Sequence, residues 1–342
     1  MTREAQTAAA PGQPDGKRPG KAGSGATSDA AEGLNVVART QGQLVLRRFF
    51  RHKGALAGMI LFGFVVLLTV TSIGYGPIPG WWDKDPNTIG TVTNEGRPTL
   101  SVVPEFLGGG GVHLGEHPFG QDNSGRDYFA LTMRGAQASL TIAVIVGVCA
   151  TLVGTIVGAA AGYFRGWTES VLMRLTDIVI AVPTLLLAGL IGVIVAGKGI
   201  VAFAVFLGLA LWTQTARLVR GQVLSLREKE YVEAARSVGT PAYRIIAKHI
   251  LPNTIGIIIV SVTLAIASAV LTETALSYVG LGVQPPDTSL GRLITDYQTA
   301  LTVRPWLFYW PGAFIIAIAL SVNFIGDGLR DAFDPRQTRV RD

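Results

Sequence analysis

The sequence predicts an all-α integral membrane protein with six transmembrane helices and both termini in the cytoplasm. Three observations carry that prediction: a shortage of charge, its concentration into six empty windows, and the side on which the remaining cations fall. Lys and Arg number 29 and Asp and Glu 23, together 15% of 342 residues, where an average globular chain carries about 25%. Stretches free of all four run over 54–82, 135–164, 178–197, 199–216, 249–272 and 305–326. About 20 apolar residues, rising about 1.5 Å each, cross a hydrocarbon core of about 30 Å. Helix satisfies the backbone there from within one segment.

In chain order, residues 1–38 are rich in Ala, Gly and Pro and hold no apolar run. They read as a disordered cytoplasmic extension, not a signal peptide. Residues 39–134 then give a first transmembrane helix and an external loop. Residues 135–327 give five further helices, with a large cytoplasmic loop at 217–252, and 328–342 a cytoplasmic tail. The second span carries Gly147, Gly154, Gly158 and Gly162; small residues at four-residue spacing let helices pack closely. The third holds Pro183, which removes a backbone donor and kinks a helix, either to shape a path or only to pack. Residues 178–216 are interrupted only by Lys198, between Gly197 and Gly199. That stretch is too long for one crossing, so it reads as two spans and a tight turn. Asp177 and Glu273 sit at span edges and read as interfacial charges near water.

Orientation follows from the cations, which accumulate on the cytoplasmic side. Arg39, Arg47, Arg48, Arg51 and Lys53 precede the first span, Arg165 and Arg174 follow the second, and the 217–252 loop holds seven more. Arg330, Arg336, Arg339 and Arg341 close the chain. The opposite segments contain Lys84, Arg97, Arg126, Arg134, Lys198, Arg292 and Arg304. The net charge of +6 thus reflects topology rather than nucleic-acid binding. The span interiors hold no ionisable group of the kind an ion-driven carrier keeps at membrane depth.

Two motifs fail on context. Gly192 to Lys198 copies most of a phosphate-binding loop, but residue 199 is Gly, without the hydroxyl that meets magnesium, and no strand precedes it. His113-Leu-Gly-Glu116-His117 copies an inverted zinc-protease pattern, which needs a helix that Gly108 to Gly111 and Pro118 deny it. Cys149 stands alone, so no thiol cluster is available for metal. No catalytic residue and no metal ligand set is assigned.

The most informative segment is 230–253. Good helix formers occupy 222–238, Gly239 suits a left-handed cap, Thr240 suits an N-cap, and Pro241 fits a first helical turn. Tyr231, Ala234, Ala235 and Val238 share a face at i, i+3, i+4 and i+7. Its two alanines make it flat enough for another surface, and Glu233 offers an acceptor beside them. Within this segment Glu233-Ala234-Ala235, Gly239 and Leu251-Pro252 stand at the spacing of the cytoplasmic signature of binding-protein-dependent ABC importer permeases. The chain resembles that family. His249 replaces the usual Ile, as in the peptide and nickel branch, whose form here is His249-Ile250-Leu251-Pro252-Asn253.

Further matches are similar to the C-type permease of that branch: Phe119 to Asp127, Gly162 to Gly166, Met173 to Asp177, Pro183 to Ala188, Glu273 to Pro286 and Asn323 to Asp331. The resemblance covers about 44–335. It implies a type I ABC importer permease fold and a non-catalytic subunit of the bacterial plasma (inner) membrane, surrounded by membrane lipid. Implied partners are a B-type permease in a heterodimer, two ATPase subunits or domains that bind ATP and Mg, and an extracytoplasmic substrate-binding lipoprotein. It assigns Tyr231, Glu233, Ala234, Ala235, Gly239, His249, Leu251 and Pro252 to the loop that couples to the ATPases. No cofactor is implied in this chain. Peptides, nickel chelates and other small solutes all use similar subunits, and nothing in the spans selects among them.

Overall fold

The computed structural model describes residues 41–101, 111 and 113–334. The expected extension over 1–38 and the tail beyond 334 lie outside them. Among the described residues the regular structure is helical, and β-pairing is confined to isolated bridges such as Ser101 with His113 and Gln121 with Asp127.

Helix α1 (Gln41–Arg51) and α2 (Lys53–Ser72) meet at His52, whose Nδ1 accepts from the Ala55 amide at 3.0 Å and caps α2. A connecting segment then leads to α3 (Tyr128–Phe164), 37 residues or about 55 Å long. It starts ahead of the charge-free window because Asp127 caps it, accepting from the Ala130 amide at 2.9 Å and satisfying an orphan donor of the first turn. Arg134, expected in a loop, is therefore helical. Helix α3 is the axis of the molecule: α2, α6, α7 and α10 pack around it, and the fully buried Ile142, Leu207, Leu276 and Ile318 belong to one apolar core.

The two spans expected at 178–197 and 199–216 take a different form. The first is built from α4 (Gly166–Ala181) and α5 (Thr184–Ile194), bent by 88°; the second from α6 (Gly199–Gly208) and α7 (Thr213–Arg227), bent by 43°. Pro183 accounts for the sharper bend. It has no amide to donate, and it forces Val182 out of helical geometry to an extended ψ of 125°. The expected turn at Lys198 is present, its amide donating to the Val195 carbonyl at 3.0 Å.

Helix α8 (Glu230–Ser237) and α9 (Ala242–Ile245) lead through a π-turn, Ile246–Ile250, into α10 (Leu251–Tyr278). Helix α11 (Leu290–Tyr297) and α12 (Trp306–Phe333) complete the chain. Residues 328–333, expected as tail, continue α12. Four stretches are continuous and apolar enough to cross a membrane, and six qualify if each bent pair is one span.

One expectation is overturned outright. Glu273 is not an interfacial charge near water; it lies inside α10 with 1% of its surface exposed. Ser277 Oγ and Ser289 Oγ donate to its Oε1 at 2.7 and 2.6 Å, and Ser139 Oγ to its Oε2 at 3.3 Å. Ser139 and Ser289 in turn accept from the Leu290 and Arg292 amides, both at 3.1 Å. A buried carboxylate needs such donors. Here they tie the start of α11 to α3 and α10. Asp177, by contrast, is exposed, with its Oδ1 2.7 Å from Arg217 Nη2.

Candidate functional site

The segment 228–253 stands on a small apolar cluster of its own. Val232, Ile245 and Ile250 are fully buried against Val219 and Val223 of α7 and Ala159 and Tyr163 of α3. Burying a side chain such as Val232 is worth about 1.5–3 kcal/mol, so α8 is a pinned element. The helix expected over 222–238 is broken at Glu228 and Lys229. That break turns Val232 inward while leaving most of α8 exposed.

The turn after α8 follows from Gly239. Its φ of +76° is one that L side chains seldom adopt. The Gly239 amide donates to the Arg236 carbonyl at 3.0 Å, and the Thr240 amide to the Ala235 carbonyl at 3.1 Å, which together close a Schellman C-cap. Thr240 thus completes the end of α8. Pro241, not Thr240, holds the N-cap position of α9, its carbonyl accepting from the Arg244 and Ile245 amides at 3.0 and 3.1 Å.

Pro252 shapes the other flank. Without an amide it cannot complete the α-helical ladder. The turn ahead of it widens, the Leu251 amide reaching back to the Ile246 carbonyl, and Asn253 Nδ2 donates to the His249 carbonyl at 2.6 Å. The same amide nitrogen lies 3.4 Å from Tyr231 Oη, joining α8 to the foot of α10. The π-turn was not read from the sequence, although the Pro252-Asn253 pair is its signal.

The result is a ridge. Tyr231, Glu233, Ala234, Val238 and Gly239 are exposed along it, Val238 at 81%, while Ala235 turns partly into the apolar cluster. Of the four residues expected to share a face, three lie open. His249 and Leu251 are half-buried at the base and Pro252 is exposed. Glu233 makes no ion pair among the described residues. A carboxylate flanked by small and apolar side chains on a pinned turn suits insertion into a basic, apolar groove.

The glycines of α3 sit where other helices come closest. A Cβ on Gly154 would meet Thr215 Cβ at 2.6 Å and the Trp212 carbonyl at 2.7 Å; on Gly162, the Arg220 carbonyl and Val223 Cβ, both at 2.9 Å. One on Gly147 would meet Ile266 Cγ1 at 2.5 Å, on α10. The small-residue stripe thus faces α7 at three positions and α10 at the fourth.

On the opposite side, Phe119 to Asp127 forms a polar knot. Asp122 accepts from the Ser124 and Arg126 amides at 2.8 Å, from Arg126 Nε at 2.7 Å and from Tyr297 Oη at 2.8 Å. Burial, and then the charge of Asp122, hold the Tyr297 hydroxyl above its ordinary pKa, so it stays a donor. Asp127 also accepts from Trp82 Nε1 at 2.9 Å. His117 Nδ1 is 2.7 Å from Asp127 Oδ1, and Lys84 Nζ is 3.3 Å from Nε2. An ammonium only donates, so Nε2 accepts and Nδ1 carries the proton. His113 instead joins the Ser101 backbone, and the zinc-like spelling dissolves into a backbone bridge and a side-chain hydrogen bond. Among the described residues no group of three potential metal ligands converges.

Residues 154–339 match the family described as binding-protein-dependent transport system inner membrane component, and residues 40–87 match the N-terminal TM domain of oligopeptide transport permease C. The chain is 35% identical over 299 residues, 87% of its length and 96% of the relative's, to the oligopeptide transport system permease protein OppC of Mycobacterium tuberculosis. It is 36% identical over 309 residues, 90% and 93% of the two chains, to OppC of Haemophilus influenzae. To OppC of Bacillus subtilis it is 36% identical over 289 residues, 84% and 88%.

Proposed function

Because the chain belongs to the family of binding-protein-dependent transport system inner membrane components, we propose that it is a permease subunit of an ATP-driven peptide importer. Peptide as the solute class rests on relatives that carry the name oligopeptide transport permease along most of their length. Six crossings result when each bent pair counts as one span, in a type I ABC importer permease fold. The cation distribution then puts both termini in the cytoplasm of a bacterium's inner membrane. The chain forms half of the path with a B-type permease. An extracytoplasmic lipoprotein delivers solute, and ATP with Mg binds to two ATPase subunits or domains; the chain itself performs no catalysis.

The observation that carries the mechanism is the pinned ridge of α8. Val232 roots it in α3 and α7, so a push on Tyr231, Glu233, Ala234 or Gly239 moves helices and not a slack loop. ATP-driven closure of the partner ATPases supplies that push, and the helix bundle rocks between inward- and outward-facing states. Tight α3–α7 packing makes the bundle move as rigid bodies.

The test is reconstitution of the complete importer in proteoliposomes. Glu233→Arg reverses the charge at the ridge, and Gly239→Pro removes the amide and the φ that close its cap. Each variant is expected to abolish ATP-dependent peptide uptake while the membrane complex still binds the loaded receptor. Native uptake in either variant overturns this role for the ridge. ATP hydrolysis by the purified chain alone overturns the assignment as a non-catalytic subunit.

A further inference from the structure

We propose that α1 is a docking surface for anionic phospholipid headgroups, set at the membrane entry of α2. Its residues divide cleanly. Val45, Arg48, Phe49 and His52 face the protein: Phe49 and Val45 pack with Ala55, Leu329 and Ala332, Arg48 Nη1 donates to the Asp334 carbonyl at 3.4 Å, and His52 Nε2 lies 3.4 Å from Asp331 Oδ2. Leu46, Arg47, Phe50 and Arg51 face away. Leu46 and Phe50, one turn apart, are 58% and 51% exposed. Arg47 and Arg51, also one turn apart, flank them, and Lys53 follows one residue beyond the helix.

Arg47, Arg51 and Lys53 are exposed and form no ion pair among the described residues. No acidic residue occurs in α1. The nearby carboxylate of Asp331 is engaged by His52. The outward face therefore combines two large apolar side chains with three uncompensated cations, and it joins a 20-residue apolar span through a single residue, His52. That continuity fixes its depth at the boundary between hydrocarbon and headgroups. Apolar side chains enter the acyl boundary there while arginine stems lie along it and carry their guanidinium groups to phosphate. A cation near an anionic surface attracts it strongly enough to favour an anionic over a neutral lipid by roughly fivefold at low salt.

A photoreactive benzoyl-phenylalanine placed at position 46 in the assembled importer reads this surface locally. In vesicles of equimolar phosphatidylcholine and phosphatidylglycerol, illumination followed by mass spectrometry identifies what touches α1. The expected capture is lipid, with phosphatidylglycerol exceeding phosphatidylcholine at least fivefold. In Arg47→Gln with Arg51→Gln the ratio is expected to fall at least fivefold, Lys53 keeping it above one, with lipid capture retained. High salt is expected to act in the same direction. Capture of a polypeptide or of nothing overturns the proposal. So does equal capture of the two lipids with both arginines present, or an unchanged ratio without them. Because both arginines face away from the core, helix content and thermal midpoint of the double variant are expected to match the native protein.

Discussion

The guanidinium carbon of Arg236 lies 5.9 Å from the ring centroid of Tyr163, fastening the exposed ridge helix α8 to the end of the central helix α3. Arg227, at the end of α7, approaches the same ring at 5.7 Å. Two like charges thus share one aromatic ring, together with an ion pair between Arg165 and Glu228 beside them. Three helices meet on one side chain, at the place where, on the proposed mechanism, a push on α8 passes into the bundle.

Tyr163→Leu keeps an apolar residue in the cluster but removes the π face, leaving two guanidinium groups opposed without an attractive partner. Each contact is worth about 0.5–1 kcal/mol, so the pair accounts for a loss of about five- to thirtyfold in peptide uptake per ATP hydrolysed. Tyr163→Phe retains the ring and is expected to behave as native. Comparable uptake-to-hydrolysis ratios for Leu and native protein in proteoliposomes, with assembly intact, exclude this joint from coupling.

The carboxylate of Glu273 accepts from three serines and holds the first turn of α11 through two of them. Glu273→Ala leaves these hydroxyls short of an acceptor in a dry site, a cost on the order of 3 kcal/mol. Glu273→Gln keeps one acceptor oxygen and the volume, and is expected to lose roughly half as much. Thermal unfolding of the detergent-solubilised chain ranks them. An Ala variant as stable as native contradicts the bonding described.

Periodicity and charge made the helices legible, and the packing glycines and the Gly239 cap could be read from residue type and spacing. Glu273 could not, because its flanking residues look like a span ending at water, and one of its serine partners, Ser139, lies 134 positions away. The same holds for Asp122 and Tyr297, 175 positions apart. Pro183 announced a kink without announcing its angle, since the direction of a broken helix depends on what packs against α5. The split of α7 from α8 at Glu228 and Lys229 runs against good local helix propensity. Burial of Val232, a tertiary gain, decides it.

Tyr297 gives a pH prediction with a definite sign. Its folded-state pKa is raised by burial and by Asp122, so the protonated hydroxyl is favoured by folding. That stabilisation is fully present below the unfolded value of about 10 and is lost as pH climbs above it. The thermal midpoint is therefore expected to decline across the alkaline range. In Tyr297→Phe the protein is expected to start less stable, having lost a donor to Asp122, and to decline less steeply. Parallel slopes for the two proteins argue against Tyr297 as a contributor.

Gly158 shows how little room the α3–α7 contact leaves. A Cβ there would stand 2.5 Å from the Ala216 carbonyl oxygen, 2.9 Å from Val219 Cβ and 3.0 Å from the Arg220 amide. These are backbone atoms and a branch point, which cannot swing aside as the tip of a flexible side chain would. Gly158→Ala must therefore separate the two helices, at a cost of about 1–3 kcal/mol, and because α7 runs on towards the ridge the shift reaches Val219, Val223 and the seat of Val232. Both stability and peptide uptake are expected to fall. Gly63 on α2 is the control, since nothing lies within 4 Å of a Cβ added there, and Gly63→Ala is expected to be neutral or slightly stabilising through helix propensity. Thermal midpoints and uptake of the two variants measured side by side decide the point: if Gly158→Ala matches Gly63→Ala, the close approach of α3 and α7 is not what holds this part of the bundle together.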